Sequence, residues 1–228
     1  MTHTARVAII DNAVDRRLYS PVDHWAPRLD VPWKAFEAGA GRLPRWTAGF
    51  SHFILTGSEA SILEREPWAE EEAEFVREAL RRGTAVLASC WGHQLLAYSL
   101  LGPAAVRRCR RPEVGWIALD ILRASEVLGP PRQAYSFSLH FDEVADTGGR
   151  FEVLASSPAC AVQAMALVDG RAWGFQVHPE IDAASARALL TGSLGLNPET
   201  DPLYRTALRT RPRDSGLIRS IVKFFLDS

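Results

Sequence analysis

The stretch Thr84-Ala85-Val86-Leu87-Ala88-Ser89-Cys90-Trp91-Gly92-His93-Gln94-Leu95-Leu96-Ala97-Tyr98-Ser99-Leu100-Leu101-Gly102 changes its periodicity at Cys90. Up to Ser89 the pattern predicts a short buried strand. From Trp91 the apolar residues recur at helical spacing until Gly102, a residue suited to a helix C-cap. Cys90 therefore falls on a sharp strand-to-helix turn. In a nucleophile elbow such a turn lifts the side chain clear of the sheet and aims it at solvent. The turn also puts the sulfur at a helix N-terminus, where unpaired N–H groups and the positive dipole end favour thiolate.

Upstream, Val7-Ala8-Ile9-Ile10-Asp11 reads as a buried first strand ending in the turn Asp11-Asn12. A helix is predicted from Ser20-Pro21-Val22-Asp23 to about Leu29, with serine as N-cap and proline at the first helical position. Val31 to Glu37 alternates like a second strand, which Pro32 confines to an edge or to its first residues. Phe50 to Thr56 makes a third strand that stops at Gly57-Ser58. The next helix opens near Pro67-Trp68 and carries Glu70, Glu71, Glu72 and Glu74 early, with Arg77, Arg81 and Arg82 late. Acid first and base last matches the helix dipole, so this charge run predicts a solvated helix and not a binding patch.

Strands alternating with helices up to Gly102 predict parallel strands with crossovers. Beyond it, Val114 to Leu122, Ala134 to Phe141, Phe151 to Ala155, Ala161 to Leu167 and Ala172 to Val177 are strand-like, with a hairpin turn at Asp169-Gly170. The expected fold is α/β: a flavodoxin-like three-layer domain with a mostly parallel central sheet and additional antiparallel strands in the C-terminal half. One domain is expected over residues 1–228, with a core at about 5–194 and a C-terminal loop and helix at 195–228. Helices are predicted at about Asp182 to Leu194 and Ser215 to Leu226, with Asn197 to Asp214 a polar, Pro-containing loop.

Composition narrows the function. The 228 residues carry a formal charge of −1 and are 47% hydrophobic, which gives no electrostatic case for nucleic acid or an anionic membrane. No apolar run reaches the roughly 20 residues of a membrane helix, and no signal-peptide pattern opens the sequence, so a cytoplasmic protein is expected. Cys90, Cys109 and Cys160 are too scattered for a disulfide framework or a zinc site, and Cys109 and Cys160 read as packing residues. Asp120 and Glu113 lack companions with ligand spacing, so no metal is expected. No Gly-rich phosphate loop is present, and no cofactor is expected.

A cysteine nucleophile needs a proton carrier and a group to orient it. Of His3, His24, His52, His93, His140 and His178, the last ends the strand-like run Trp173-Gly174-Phe175-Gln176-Val177-His178, where a parallel sheet presents its active edge. Pro179 and Glu180 follow, and a carboxylate two residues on can turn back to hold the imidazole. His93 reads as packing in the elbow helix and His52 as a core or edge histidine. The tryptophans are mainly core, and only Trp91 has a site role, through its backbone.

Cys90-Trp91-Gly92-His93-Gln94 together with Phe175-Gln176-Val177-His178-Pro179-Glu180 resembles the signature of class I glutamine amidotransferase domains. Lesser matches lie at Thr56-Gly57-Ser58, Glu113-Val114-Gly115-Trp116, His140 to Val144 and Leu154 to Ser157, so the likeness covers about residues 5 to 182. It implies a Cys90–His178–Glu180 triad acting on a glutamine side-chain amide or a related γ-glutamyl bond through a thioester. By position, the Trp91 N–H and the Gly57-Ser58 loop are the oxyanion candidates. The resemblance further implies that Gln94 helps to hold the glutamyl group and that the loop with His140 and Asp142 lies near the substrate.

Two departures stand out. Ala88 occupies a position where the family has glycine, and Gly57-Ser58-Glu59 replaces a Gly-Gly-Pro type loop. The loop resembles that of stand-alone members, GMP-synthase-like and γ-glutamyl peptidase-like, more than that of the large synthetases. A stand-alone hydrolase of γ-glutamyl amides or peptides is therefore expected. The alternatives are a glutaminase that passes ammonia to a separate synthetase partner and a catalytically silent binding member of the fold.

Overall fold

Nine strands build one mixed sheet in the computed structural model, which describes residues 5–228. They are β1 (Val7–Asp11), β2 (Trp33–Glu37), β3 (His52–Leu55), β4 (Ala85–Ser89), β5 (Val106–Ile121), β6 (Arg132–Val144), β7 (Phe151–Ser156), β8 (Ala164–Leu167) and β9 (Ala172–Phe175). The helices are α1 (Pro21–Trp25), α2 (Pro67–Arg81), α3 (Trp91–Leu101), α4 (Ala183–Ser193), α5 (Asp201–Arg209) and α6 (Leu217–Asp227). Across the sheet the order is β2-β1-β3-β4-β9-β8-β7-β5-β6. The first five are mutually parallel, and from β9 onward every pairing is antiparallel.

The expected α/β class holds, for a reason visible in β1. Its residues are buried on both sides. Ala8 and Ile10 pack with Phe53, Leu55, Val86 and Ala88 beneath α2 and α3. Val7 and Ile9 face Trp25 of α1 and Leu217, Ile221 and Phe225 of α6. A strand covered on both faces must be apolar throughout, which is why β1, β3 and β4 read as continuous runs and not as alternation. β2, preceded by Pro32, takes the edge, with Trp33 half exposed.

Several boundaries differ from the sequence pattern. β5 starts at Val106, eight residues before the strand read from the sequence. The arginines of Arg107-Arg108 mask it, yet they pair across the ladder with Glu143 (2.7 Å) and Asp142 (3.0 Å), and a register shift before Glu113 accommodates the interruption. The predicted loop 197–214 contains α5, in which only Tyr204 and Ala207 are buried. There a side chain at Gly115 of β5 would meet Ala207 Cβ at 2.9 Å, so the helix docks directly on strand backbone. α1 ends at Trp25 in a 3-10 turn, and Ser20, its N-cap by position, makes no side-chain cap bond. The reading of α2 as wholly solvated is corrected at Glu72, which is fully buried and faces inward with Ala69, Ala73 and Val76. Among the described residues no helix is long and apolar enough to cross a membrane.

The contact between α3 and β3 is made through glycine. Gly92 donates its N–H to Thr56 O (3.1 Å), and a Cβ at position 92 would lie 2.8 Å from the Leu55 carbonyl carbon. Strand backbone cannot yield as a side chain can. Gly92→Ala should therefore cost about 1–3 kcal/mol of stability, seen as a lowered denaturant midpoint at unchanged slope. An unchanged midpoint would show that α3 does not depend on this approach.

Candidate active site

β4 ends at Ser89, paired in register with Phe175 of its parallel neighbour β9. The Cys90 N–H extends that ladder by one bond, to Phe175 O at 2.7 Å. The chain then turns sharply, with Cys90 at φ 48° and ψ −109°, and α3 begins at the next residue. This left-handed backbone is strained for a residue with a Cβ, and it is held by that bond on one side and by Gln94 N–H to Cys90 O (3.1 Å) on the other. Ala88 lies buried in the core below, so alanine fits where glycine was expected and the elbow still forms. The sulfur is not held out into solvent as the sequence suggested. Cys90 is only 5% exposed and lies at the floor of a cleft, with Sγ 3.6 Å from Leu139 O.

Three residues beyond Phe175, His178 lines the same cleft. Its N–H donates to Phe137 O (2.8 Å), which ties the segment after β9 to the far antiparallel strand β6. The imidazole Nδ1 lies 2.8 Å from Glu180 Oε1, so its N–H donates there and Nε2 is left for Cys90. Burial alone would push this imidazole below the usual range. The negative charges of Cys90 and Glu180 and hydrogen bonds to both outweigh it, raising His178 to about 10. The fold thus brings Cys90, His178 and Glu180 together, with the His178 imidazole between the sulfur and the carboxylate.

The sequence pattern missed the groups that fix Glu180. Tyr19 donates its O–H to the same Oε1 (3.2 Å) and stands edge-on to the His178 ring, with centroids 5.8 Å apart. Arg28 Nη2 donates to Glu180 O (3.4 Å). Both come from the segment after β1, where no periodicity marks a lone tyrosine as a site residue.

Gly57 and Trp91, the oxyanion candidates, flank the histidine and the cysteine. A Cβ on Gly57 would lie 2.8 Å from His178 Cε1, so only glycine lets the loop pass so close. Trp91 opens α3, where a first-turn N–H has no intrahelical acceptor, while its ring stacks on Trp68 in the core. Ser58 lines the cleft, but its hydroxyl accepts from Ala60 N–H (3.1 Å) and serves the loop.

Gln94, His140 and Asp142 also line the cleft, although much of their polarity is engaged with one another. Gln94 Nε2 and His140 Nδ1 both donate to Asp142 O, at 2.8 and 3.0 Å. The Asp142 carboxylate accepts from Ser61 Oγ (2.6 Å) and pairs with Arg108 (3.0 Å). His140 Nε2 bonds Glu113 Oε2 (3.1 Å), and Glu113 also accepts from Ser157 Oγ (2.7 Å) and from Gln163. These residues brace the wall formed by β6. Glu113, His140 and Cys160 have ligand atoms within 4.8 Å of one another, a juxtaposition that sequence spacing did not reveal. The Glu113 oxygens are already taken by these donors, and burial raises the Cys160 thiol to about 12, which leaves a poor metal ligand.

Of the remaining histidines, His93 is buried against Gly174 and pushed down to about 3 by burial. His52 packs edge-on to Phe225, His24 stacks on Tyr19, and His3 lies outside the described residues. The cleft, about 650 Å³ in volume, is walled farther out by Leu18 and Tyr19 after β1 and by Leu189, Leu196, Glu199 and Tyr204 of the α4–α5 region.

Residues 47–191 match the family model described as glutamine amidotransferase class-I. The chain belongs to the class I glutamine amidotransferase family. It is 35% identical over 133 residues to a glutamine-hydrolyzing GMP synthase subunit from Saccharolobus solfataricus, covering 58% of this chain and 68% of that one. It is 30% identical to a gamma-glutamyl-L-1-hydroxyisopropylamide hydrolase of a Pseudomonas species, over 64% of this chain and 53% of the other. Some relatives are much longer, and the match then spans only 27% of one GMP synthase. The crystal structure of a glutamine amidotransferase from Thermotoga maritima superposes with a TM-score of 0.80 at 22% identity, covering 99% of this chain and 100% of that one, and so shares the fold.

If Glu180 helps to hold His178 protonated, Glu180→Gln should lower the His178 titration midpoint from about 10. Imidazole NMR resonances followed against pH would show this. A midpoint that stays in place in the variant would deny Glu180 that role.

Proposed function

We propose that this family member is a cysteine-dependent hydrolase of γ-glutamyl amides. The observation that carries the reading is the hydrogen-bonded line Cys90–His178–Glu180 on the floor of the cleft; in this reading the N–H groups of Gly57, Ser58 and Trp91 are the oxyanion donors. The Cys90 thiolate adds to the γ-carbonyl carbon, and the new oxyanion is taken up by those N–H groups. The His178 imidazolium gives its proton to the departing amine, leaving a γ-glutamyl thioester and a neutral imidazole. Water then attacks the thioester, losing a proton to His178 as the Cys90 thiolate leaves. Glu180 and Tyr19 keep the ring in the tautomer and orientation that both transfers need.

The cleft volume favours a substituted amide over glutamine itself. About 650 Å³ is in the range of pockets that hold drug-sized ligands, and its outer wall offers Leu189, Leu196 and Tyr204 to a leaving amine. The likeness to a γ-glutamyl alkylamide hydrolase points the same way. The likeness to a glutamine-hydrolyzing GMP synthase subunit supports a second reading, in which the amine is ammonia delivered to a separate synthetase. In both readings the protein acts in the cytoplasm without a cofactor.

The isolated chain should hydrolyse γ-glutamyl alkylamides, with kcat/KM at least about tenfold above glutamine, the order of discrimination a few apolar contacts supply. Cys90→Ala should abolish both turnover and labelling by a glutamine-analogue electrophile, followed by intact mass. Turnover of glutamine alone, rising when a synthetase is added, would replace the first reading with the second. Labelling that survives in Cys90→Ala would overturn both.

A further inference from the structure

Glu72 has no part in the reaction described above, yet it is the most unusual charge-bearing residue in the fold. It is fully buried in α2, and neither carboxylate oxygen makes a hydrogen bond of ordinary length. Its one polar neighbour is Asn12, itself fully buried just beyond β1. The Asn12 amide is committed on one side, because Nδ2 donates to Thr56 O at 3.0 Å. On the other side Asn12 Oδ1 is also without a donor. Asn12 Nδ2 keeps a second N–H, but it makes no hydrogen bond to either Glu72 oxygen, so an ionised Glu72 would leave its acceptors unpaired beside the unpaired Asn12 Oδ1. One added proton resolves this.

Thr56 leads directly into the oxyanion loop. Its carbonyl accepts from both Asn12 Nδ2 and Gly92 N–H (3.1 Å), its hydroxyl accepts from Asn12 N–H (3.0 Å) and its hydroxyl proton goes to Gly57 O (3.1 Å). The end of β1, the start of α3 and Gly57 are thus linked through one residue. We propose that Glu72 is held as a neutral carboxylic acid whose O–H donates to Asn12 Oδ1, and that through Asn12 and Thr56 it positions the Gly57-Ser58 loop. The role of that loop rests on the hydrolase reading, but the protonation and the loop geometry do not. Glu72 is a positioning residue and touches no reacting atom.

The surroundings leave nothing else to neutralise it. On its own helix Glu70 bonds Arg65 (3.1 Å) and Glu74 bonds Arg77 (2.5 Å). The elements packed on α2 are β4, α3 and the 3-10 turn Ala38–Ala40. Their titratable side chains are Tyr98, which bonds Glu70 and Arg65, and His93, which is neutral and turned onto Gly174. Asp11, next to Asn12, is tied to Arg16 (2.9 Å). Burial, opposed only by Asn12, raises the Glu72 carboxyl to about 8. Because the folded-state value is the higher one, the folded chain holds a proton that the unfolded chain loses. Stability therefore falls as the pH rises from the ordinary carboxylate range towards 8.

Carbon-13 NMR of glutamate Cδ in the whole chain should show one carboxyl titrating near pH 8 and missing from Glu72→Gln. The Gly57 amide resonance should move with the same midpoint in the wild type and stay still in Glu72→Gln, whose amide N–H replaces the acid O–H. Kinetically, kcat for a γ-glutamyl amide should fall above pH 8 at nearly constant KM. Glu72→Gln should remove that limb, and Glu72→Met should lower kcat about tenfold or more at every pH. If Glu72→Met does not fold, the Glu72→Gln profile carries the kinetic test. Glu72 titrating in the ordinary carboxylate range, or a Gly57 amide indifferent to it, would overturn the proposal whether or not the chain proves to be a hydrolase. An inactive wild type with both titrations intact would fault the hydrolase reading and leave the Glu72 linkage standing.

Discussion

The pairing of β4 with β9 is the constraint on which the site depends. Two parallel strands in register end side by side, Ser89 against Phe175, and one further bond from Cys90 N–H to Phe175 O locks the elbow to its neighbour. The spacing follows from strand geometry: neighbouring strands lie about 4.8 Å apart, so residues just past both ends come within reach of one another. Parallel strands also deliver their C-terminal ends to the same edge, which is where the clefts of open α/β sheets form. A cysteine on one strand and a histidine beyond the next thus meet without any contact between their local sequences.

The antiparallel half of the sheet works as a brace. β6 supplies Phe137 O to the His178 N–H and Leu139 O to the Cys90 sulfur, then closes the cleft with the His140–Asp142 segment. Behind that segment Glu113 gathers His140, Ser157 and Gln163 into a buried polar network. Such a network rigidifies when its members are satisfied. The residues read from the sequence as substrate contacts are therefore wall as much as surface, since their side chains hold each other first.

What the sequence made legible follows from where the signal is local. The elbow was readable because strand and helix periodicities meet at Cys90. The His178-Pro179-Glu180 run was readable because a carboxylate stands two residues from a histidine at the end of a strand-like run, and the structure joins the two. Tyr19 and Glu72 were not. Tyr19 reaches Glu180 across the fold from an irregular loop, and Glu72 is hidden in a run of four glutamates whose other members follow the helix-dipole pattern. β5 was cut short because arginines that pair across a ladder look, in one dimension, like a charged loop. α5 was lost because only two of its nine residues are buried. In each case the missing information was the identity of a partner distant in sequence.

The placement of β9 has a consequence for when the cleft assembles. Between β4 and β9 the polypeptide must complete α3 and all of β5–β8, so the contacts that bring His178 to Cys90 are long-range. Such contacts carry a large loop-closure cost and form late in folding. A chain emerging from synthesis has made β4 and α3 long before β9 arrives to hold the turn at Cys90. Cys90 and His178 meet only when β9 takes its place in the sheet.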